Sequence, residues 1–310
     1  MTTQHDGTLY VLQARPPAII ALSPDGSHQT VLGNLTRTPD GIKVDAESNI
    51  VYWTNMGTGI HLIDSDPTSR PVPPNDGTIE CAYLDGTGHR VLVPSGQAGT
   101  PKELVLDKPG GHLYWCDREG MRVMRARLDG AEVTELVRTG EFPADTADAT
   151  RHCVGIVLDK ANGHVYWTQK GPPDAGQGRI FRANIEPPAG ARPDQRPDVE
   201  CLLADLPEPI DLDLDHDNGV LYWTDRGSDT DDGNTLNRAR ITASGLIDRE
   251  VLARDLKEGI GVSLDARGRR AFVTDLGGNV RVLDIDTKHE AHFTTIAQLG
   301  PLTGIDYAER

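Results

Sequence analysis

Two acidic residues stand where a recurring pattern otherwise has glycine, and they are the first candidates for chemistry. Glu103 and Asp211 occupy a slot that reads Gly41, Gly155, Gly261 and Gly304 in the other copies. Carboxylates crowded into a narrow space cannot all ionise freely. Some keep their protons toward neutral pH, which suits a general acid or base. His152 sits just ahead of this slot in another copy, and His61 lies in a long loop. These four are the predicted catalytic groups: Glu103, Asp211 and His152 as acid/base or substrate-orienting residues, with His61 delivered by the loop. Two positions beyond the slot the copies read Lys43, Val105, Val157, Asp213, Ser263 and Asp306. The predicted substrate-binding set is Asp40, Lys43, Lys102, Cys153, Phe142, Asp213, Arg226, Glu258 and Thr303. Asp40, Glu103, Asp211 and His152 also offer oxygen and nitrogen donors to a divalent ion. That ion is the one cofactor the sequence leaves open. No phosphate-binding loop, dinucleotide fingerprint, His-Glu-x-x-His or Gly-x-Ser-x-Gly motif is present, which argues against an organic cofactor and against serine-hydrolase chemistry.

These side chains need a scaffold, and the repeat supplies one. An aspartate precedes an aromatic by seven positions in five places: Asp45 and Tyr52, Asp107 and Tyr114, Asp159 and Tyr166, Asp215 and Tyr222, Asp265 and Phe272. In the copy at residues 39–55, Ile42 and Val44 alternate with Lys43, as strands do. A tight connection follows, then Ile50, Val51, Tyr52, Trp53 and Thr54, the β-branched and aromatic types that strands favour. A third strand ends in an Asp-Gly turn (Asp85-Gly86, Asp129-Gly130), and a fourth returns. Four short antiparallel strands per long repeat describe propeller blades. The chain ends set the number. Leu302 to Ile305 match a first strand with no second strand after it, whereas Thr8 to Val11 begin with a second strand. The predicted fold is therefore all-β: a six-bladed β-propeller of four-stranded antiparallel blades, residues 1–310 forming one domain. Its N- and C-terminal strands share a blade and close the ring.

The sequence Pro39-Asp40-Gly41-Ile42-Lys43-Val44-Asp45, followed by Tyr52-Trp53-Thr54-Asn55, resembles the YWTD repeats of low-density-lipoprotein-receptor-type propellers. Further matches are Tyr114-Trp115-Cys116-Asp117, Tyr166-Trp167-Thr168-Gln169, Tyr222-Trp223-Thr224-Asp225 and the degenerate Phe272-Val273-Thr274-Asp275. The resemblance covers nearly the whole chain. It implies that these residues hold blades together, and it implies a use as a protein-binding ring.

Composition narrows the partners. The formal net charge of −16 argues against nucleic acid and anionic membranes, and no apolar run is long enough to span a bilayer. All four tryptophans fall in the repeat motif, so no aromatic platform remains for stacking bases or sugars. The cysteines Cys81, Cys116, Cys153 and Cys201 have no zinc or disulfide spacing. With a polar start and no disulfide-rich companion modules, the predicted location is cytoplasmic.

One face of the ring has uniform connections; the other varies. Residues 55–77, 139–151 and 225–232 are long or acidic, and the first of these, carrying His61 and several prolines, reads as a lid. The proline-rich stretch 186–198 reads as a surface loop on the uniform face. The leading functional expectation is a small organic molecule bound at the channel mouth under the blade-two lid. An acid/base enzyme would act on it as a lyase, cyclase, isomerase or hydrolase. A protein-binding scaffold and a non-catalytic small-molecule carrier are the alternatives.

Overall fold

Alternating apolar residues and tight turns at fixed spacing leave each repeat little choice but a meander of hairpins. The structure, a computed structural model, describes residues 7–58, 74–287 and 291–309. Among them, twenty-four strands form six four-stranded antiparallel sheets. Blade one pairs Leu302–Glu309 with Gly7–Ala14, Pro17–Leu22 and Gln29–Asn34. Blade two runs Pro39–Asp45, Ile50–Asn55, Gly77–Tyr83 and Arg90–Ala98; blade three runs Pro101–Asp107, His112–Asp117, Arg122–Arg127 and Thr134–Arg138. Blade four begins at Cys153–Asp159, blade five at Glu208–Asp215 and blade six at Gly259–Asp265. The first strands of successive blades are neighbours all the way round, from Leu302–Glu309 to Pro39–Asp45 and back through Gly259–Asp265. The expected six-bladed ring and its closure within blade one are both present.

The Tyr-Trp pair explains how one motif builds the whole core. Successive side chains of a strand point to opposite faces, so each pair reaches both neighbouring blades. Tyr114 of blade three packs with Trp167 of blade four, Tyr166 with Trp223 of blade five, and Tyr52 with Trp115. Tyr10 of blade one plays the same part against Trp53. The core is thus six layers between face-packed sheets rather than one central mass.

The threonine two residues after each tyrosine faces the same seam and hydrogen-bonds across it. Thr168 Oγ1 accepts from Gly155 N (2.7 Å) in its own blade and donates to Ile210 O (2.7 Å) in the next. Thr224 repeats this with Asp211 N and Ile260 O. In blade three Cys116 stands in the threonine slot, and its thiol donates to Gly155 O at 3.3 Å. Thr168→Val conserves shape but strands two buried backbone groups, each costing about 1–3 kcal/mol. We expect a lower denaturation midpoint with an unchanged slope in urea; an unchanged midpoint would remove the hydroxyl from the account.

The aspartate of each aspartate–aromatic pair organises the uniform face. Asp107 Oδ1 accepts from Gly110 N (3.0 Å), Asp159 Oδ1 from Asn162 N (3.1 Å) and Asp265 Oδ1 from Gly268 N (2.7 Å). Each carboxylate pins the turn between the first two strands. The stretch 186–198 is the expected surface loop, exposed over most of its length, with Arg196 buried. It crosses to the outer edge of blade three, where Pro193 O accepts from Arg138 N (2.9 Å) and buried Arg196 donates to Leu136 O (3.1 Å). Covering an outer strand this way blocks edge-to-edge pairing with other chains.

Candidate functional site

Every first strand carries an irregularity near its start, for instance between Pro39 and Ile42, Pro101 and Leu104, and Pro209 and Leu212. Such bulges re-aim side chains where a strand meets a site. The slot inside the bulge is glycine for a steric reason. A Cβ at Gly155 would lie 2.1 Å from Ile210 O, and one at Gly304 would lie 2.2 Å from Asp40 O. The strands approach that closely around the axis, so a carboxylate in this slot sits at the tightest part of the ring.

Asp211 and Glu103 use the slot differently. The short Asp211 side chain reaches backbone: Oδ1 accepts from Leu212 N (2.7 Å) and Oδ2 from Val262 N (2.8 Å) of blade six. Asp213 does the same with Leu214 N and Leu264 N, 2.7 and 2.8 Å. Asp306 Oδ2 accepts from Val44 N (2.8 Å) and Oδ1 from Lys43 Nζ (3.2 Å). These three aspartates clasp adjacent blades. Glu103, one methylene longer and only 5% exposed, extends toward Lys43, with Oε1 3.8 Å from Nζ and without a hydrogen-bond partner.

The throat's electrostatics follow from burial. Burial and then the charge of Asp211 push the Glu103 carboxyl well above the usual range, with Lys43 opposing. Burial takes Asp211 up to about 7 against Lys43 and its two backbone donors, and it raises Asp213 as well. Burial works against the Lys43 ammonium, yet Asp306, Glu103, Asp213 and Asp211 together hold it above the ordinary lysine range.

Above the throat lies a rim of ion pairs. Lys102 bonds Asp40, Arg118 Nε donates to Glu119 Oε1 (2.7 Å), Lys170 Nζ meets Glu208 Oε2 (3.3 Å) and Arg226 Nε donates to Glu258 Oε2 (2.6 Å). Burial lowers the Lys102 ammonium. Glu119, despite its burial, is drawn down to about 2 by Arg118 and His152. Beside these pairs, blades four to six add an apolar sector, with Val154, Ile210 and Ile260 packed beside Leu276.

The sequence-predicted residues divide accordingly. Glu103, Asp211, Lys43 and Asp213 meet in the throat, while Asp40, Lys102, Arg226 and Glu258 meet in rim ion pairs. His152 is at the rim, not in the throat: Nε2 lies 3.0 Å from Thr146 O, its charged neighbours are Glu119, Arg118 and Lys170, and burial lowers its pKa. Cys153 packs in the apolar seam between blades three and four, because the bulge that follows it turns its side chain away from the channel. Thr303 spends its hydroxyl on Pro39 O (3.1 Å) and Leu12 O (3.4 Å). Phe142 is 37% exposed and lines a separate surface cavity of about 220 Å³ with Arg122, Glu135 and Arg138. His61 and most of the predicted lid lie outside the described residues. Among the described residues no His, Cys, Asp or Glu group has the arrangement of a metal site, so Asp40, Glu103, Asp211 and His152 do not converge as one ligand set. Sequence reasoning missed Arg118, Glu119 and Lys170. The signal was available, since Arg118, Lys170 and Arg226 each follow the repeat motif directly in three successive copies.

Fold and motif together define a six-bladed YWTD propeller. No protein-family profile matches the chain. It is 42% identical over 327 aligned residues to low-density lipoprotein receptor-related protein 1 of Pyricularia oryzae, covering 98% of this chain and 99% of that protein. It is also 41% identical over 253 residues to a 3-hydroxyacyl-CoA dehydrogenase-like protein of Cochliobolus heterostrophus, covering 78% of this chain but 50% of that protein. Among solved structures, one in the nidogen/laminin complex superposes with a TM-score of 0.69 at 20% identity, covering 97% of this chain and 98% of that one. A gluconolactonase from Xanthomonas campestris superposes with 0.61 at 15% identity, covering 96% and 87%. The chain belongs to the low-density-lipoprotein-receptor-related propeller family.

Proposed function

We propose that the channel mouth binds a small polar organic molecule and that Glu103 exchanges a proton with it. The observation carrying this reading is the Glu103 carboxyl: buried, raised in pKa, and with Oε1 lacking a hydrogen bond where most blades have glycine. A buried polar atom left without a partner costs about 1–3 kcal/mol, a cost that a bound ligand removes. The reaction class is acid/base: a lyase, cyclase, isomerase or hydrolase. Asp211 and Lys43 set the charge around Glu103, and the rim residues Asp40, Lys102, Arg226 and Glu258 would orient the molecule. The free thiols of Cys81, Cys116, Cys153 and Cys201 support a reducing, cytoplasmic setting.

Glu103→Gln keeps the size and removes the proton exchange. For a turnover identified by metabolite screening, we expect kcat to fall about 10²–10⁴-fold with a melting temperature no lower than the parent's. Undiminished kcat would exclude Glu103 from the chemistry.

A protein-docking role has one observation of its own. Exposed Tyr83 lines a groove between blades one and two together with Trp53, Leu32 and Leu35. Under that reading Tyr83→Ala lowers partner affinity and Glu103→Gln does not.

A further inference from the structure

We infer that the molecule accepted by the channel carries a protonated amine, an inference that rests on the small-molecule reading above. Four carboxyl groups, Glu103, Asp211, Asp213 and Asp306, face one ammonium, Lys43, in the throat. Among the described residues the rim cations each have an acidic partner: Lys102 has Asp40, Arg118 has Glu119, Lys170 has Glu208 and Arg226 has Glu258. Burial lets some of these carboxyls keep their protons, and an arriving anion would only hold them so. A neutral molecule would leave that balance as it is. A cation lets one of them ionise beside it.

Hydrogen bonding shows where the cation goes. Both oxygens of Asp211, both of Asp213 and both of Asp306 already accept bonds from backbone or Lys43. Of these four carboxyls, only Glu103 has an oxygen without a hydrogen bond. An ammonium carries three donors and no acceptor, which is what an open carboxylate oxygen lacks. The apolar sector of Val154, Ile210, Ile260 and Leu276 would receive the hydrocarbon body of the same molecule. The ligand class is therefore a primary amine with a short apolar chain or ring.

Charged groups facing Glu103 are Lys43 and Asp40 of blade two, Asp211 of blade five and the Cys116 thiol of its own blade. Through Lys43 the set extends to Asp213 and Asp306. An arriving ammonium favours the ionised form of Glu103, so binding releases a proton and strengthens as pH rises.

Isothermal titration of the full chain with n-butylammonium, butyrate and butan-1-ol tests this, in phosphate and in Tris at pH 6, 7 and 8. The expected result is binding of butylammonium alone, with affinity rising roughly tenfold from pH 6 to 8. Its heat should differ between the buffers by the ionisation heat of the released proton. Glu103→Gln should lose about tenfold or more in affinity and all of the pH dependence, at an undiminished melting temperature. Equal binding of butyrate or butan-1-ol would overturn the amine class while leaving a small-molecule site standing. An ammonium that fails to bind, or that binds Glu103→Gln as tightly as the parent, also overturns it. Loss of turnover in Glu103→Gln on a non-amine substrate would sink this inference and keep the proposed function.

Discussion

A chain ending at Pro301 is expected to lose its cooperative melt and to collect in the insoluble fraction. Leu302–Glu309 is the innermost strand of blade one, and its Leu302, Ile305 and Tyr307 pack with Leu9, Val11, Leu22 and Phe272. Withdrawing three such side chains forfeits about 1.5–3 kcal/mol each. Polar losses add to this. Thr303 binds Pro39 O, Asp306 binds Val44 N and Lys43, and Tyr307 N bonds Ser263 Oγ at 3.0 Å. The ladder to Gly7–Ala14 disappears as well, exposing that strand as an edge. Together these are comparable to the roughly 5–15 kcal/mol by which a domain is usually stable. Gly304→Val provides a milder version, since its Cβ would sit 2.2 Å from Asp40 O. Solubility, circular dichroism and calorimetry check the expectation. A truncated protein melting cooperatively within a few degrees of the parent would mean that five blades suffice.

Stability should peak on the acid side of neutrality. Burial raises Asp211 and Asp225 to about 7, and it raises Glu103 and Asp213 as well. A carboxyl whose folded pKa exceeds its unfolded value holds its proton more tightly in the fold. Its stabilisation is complete below the unfolded value and disappears as pH climbs through the folded one. Glu119, down at about 2, and Asp215, lowered by Arg269 and Asn218 despite its burial, run the opposite way. Their contribution holds above the unfolded value and is lost in acid. The two sets leave an optimum near pH 5, by the linkage argument. From pH 5 to 8 the melting temperature should fall by roughly 5 °C or more, since several kcal/mol are at stake. The net charge of −16 acts in the same direction, so Glu103→Gln is the discriminating comparison: its profile should be flatter. A melting temperature that rises between pH 5 and 8 would contradict the buried-carboxylate account.

The architecture was readable because its signals are local and repeated. Asp107 with Tyr114, or Asp159 with Tyr166, marks one turn and one seam each time it occurs, and the unmatched strands at the two ends give the closure. Site details depended on distances that spacing does not encode. Glu103 and Asp211 share a slot, yet one methylene decides whether the carboxyl reaches neighbouring backbone or stops in the throat. Cys153 looked like a mouth residue until the bulge between it and Ile156 reversed the parity of the strand. The stretch 186–198 is solvent-facing as its prolines suggest, but its docking on blade three was not legible, because contacts such as Arg196 with Leu136 O span sixty residues of sequence.

Sharing one sheet between head and tail also sets a timetable for synthesis. Blades two to six each arise from one continuous stretch and can form hairpins as they leave the ribosome. Strands Gly7–Ala14, Pro17–Leu22 and Gln29–Asn34 precede blades two to six in the chain but must wait for Leu302–Glu309, which follows those blades. While blades two to six are made, the nascent chain therefore offers Leu9, Val11 and Tyr10 without their final cover. Chaperone demand should fall on these residues, and the throat around Lys43 and Asp306 is assembled only after blade six.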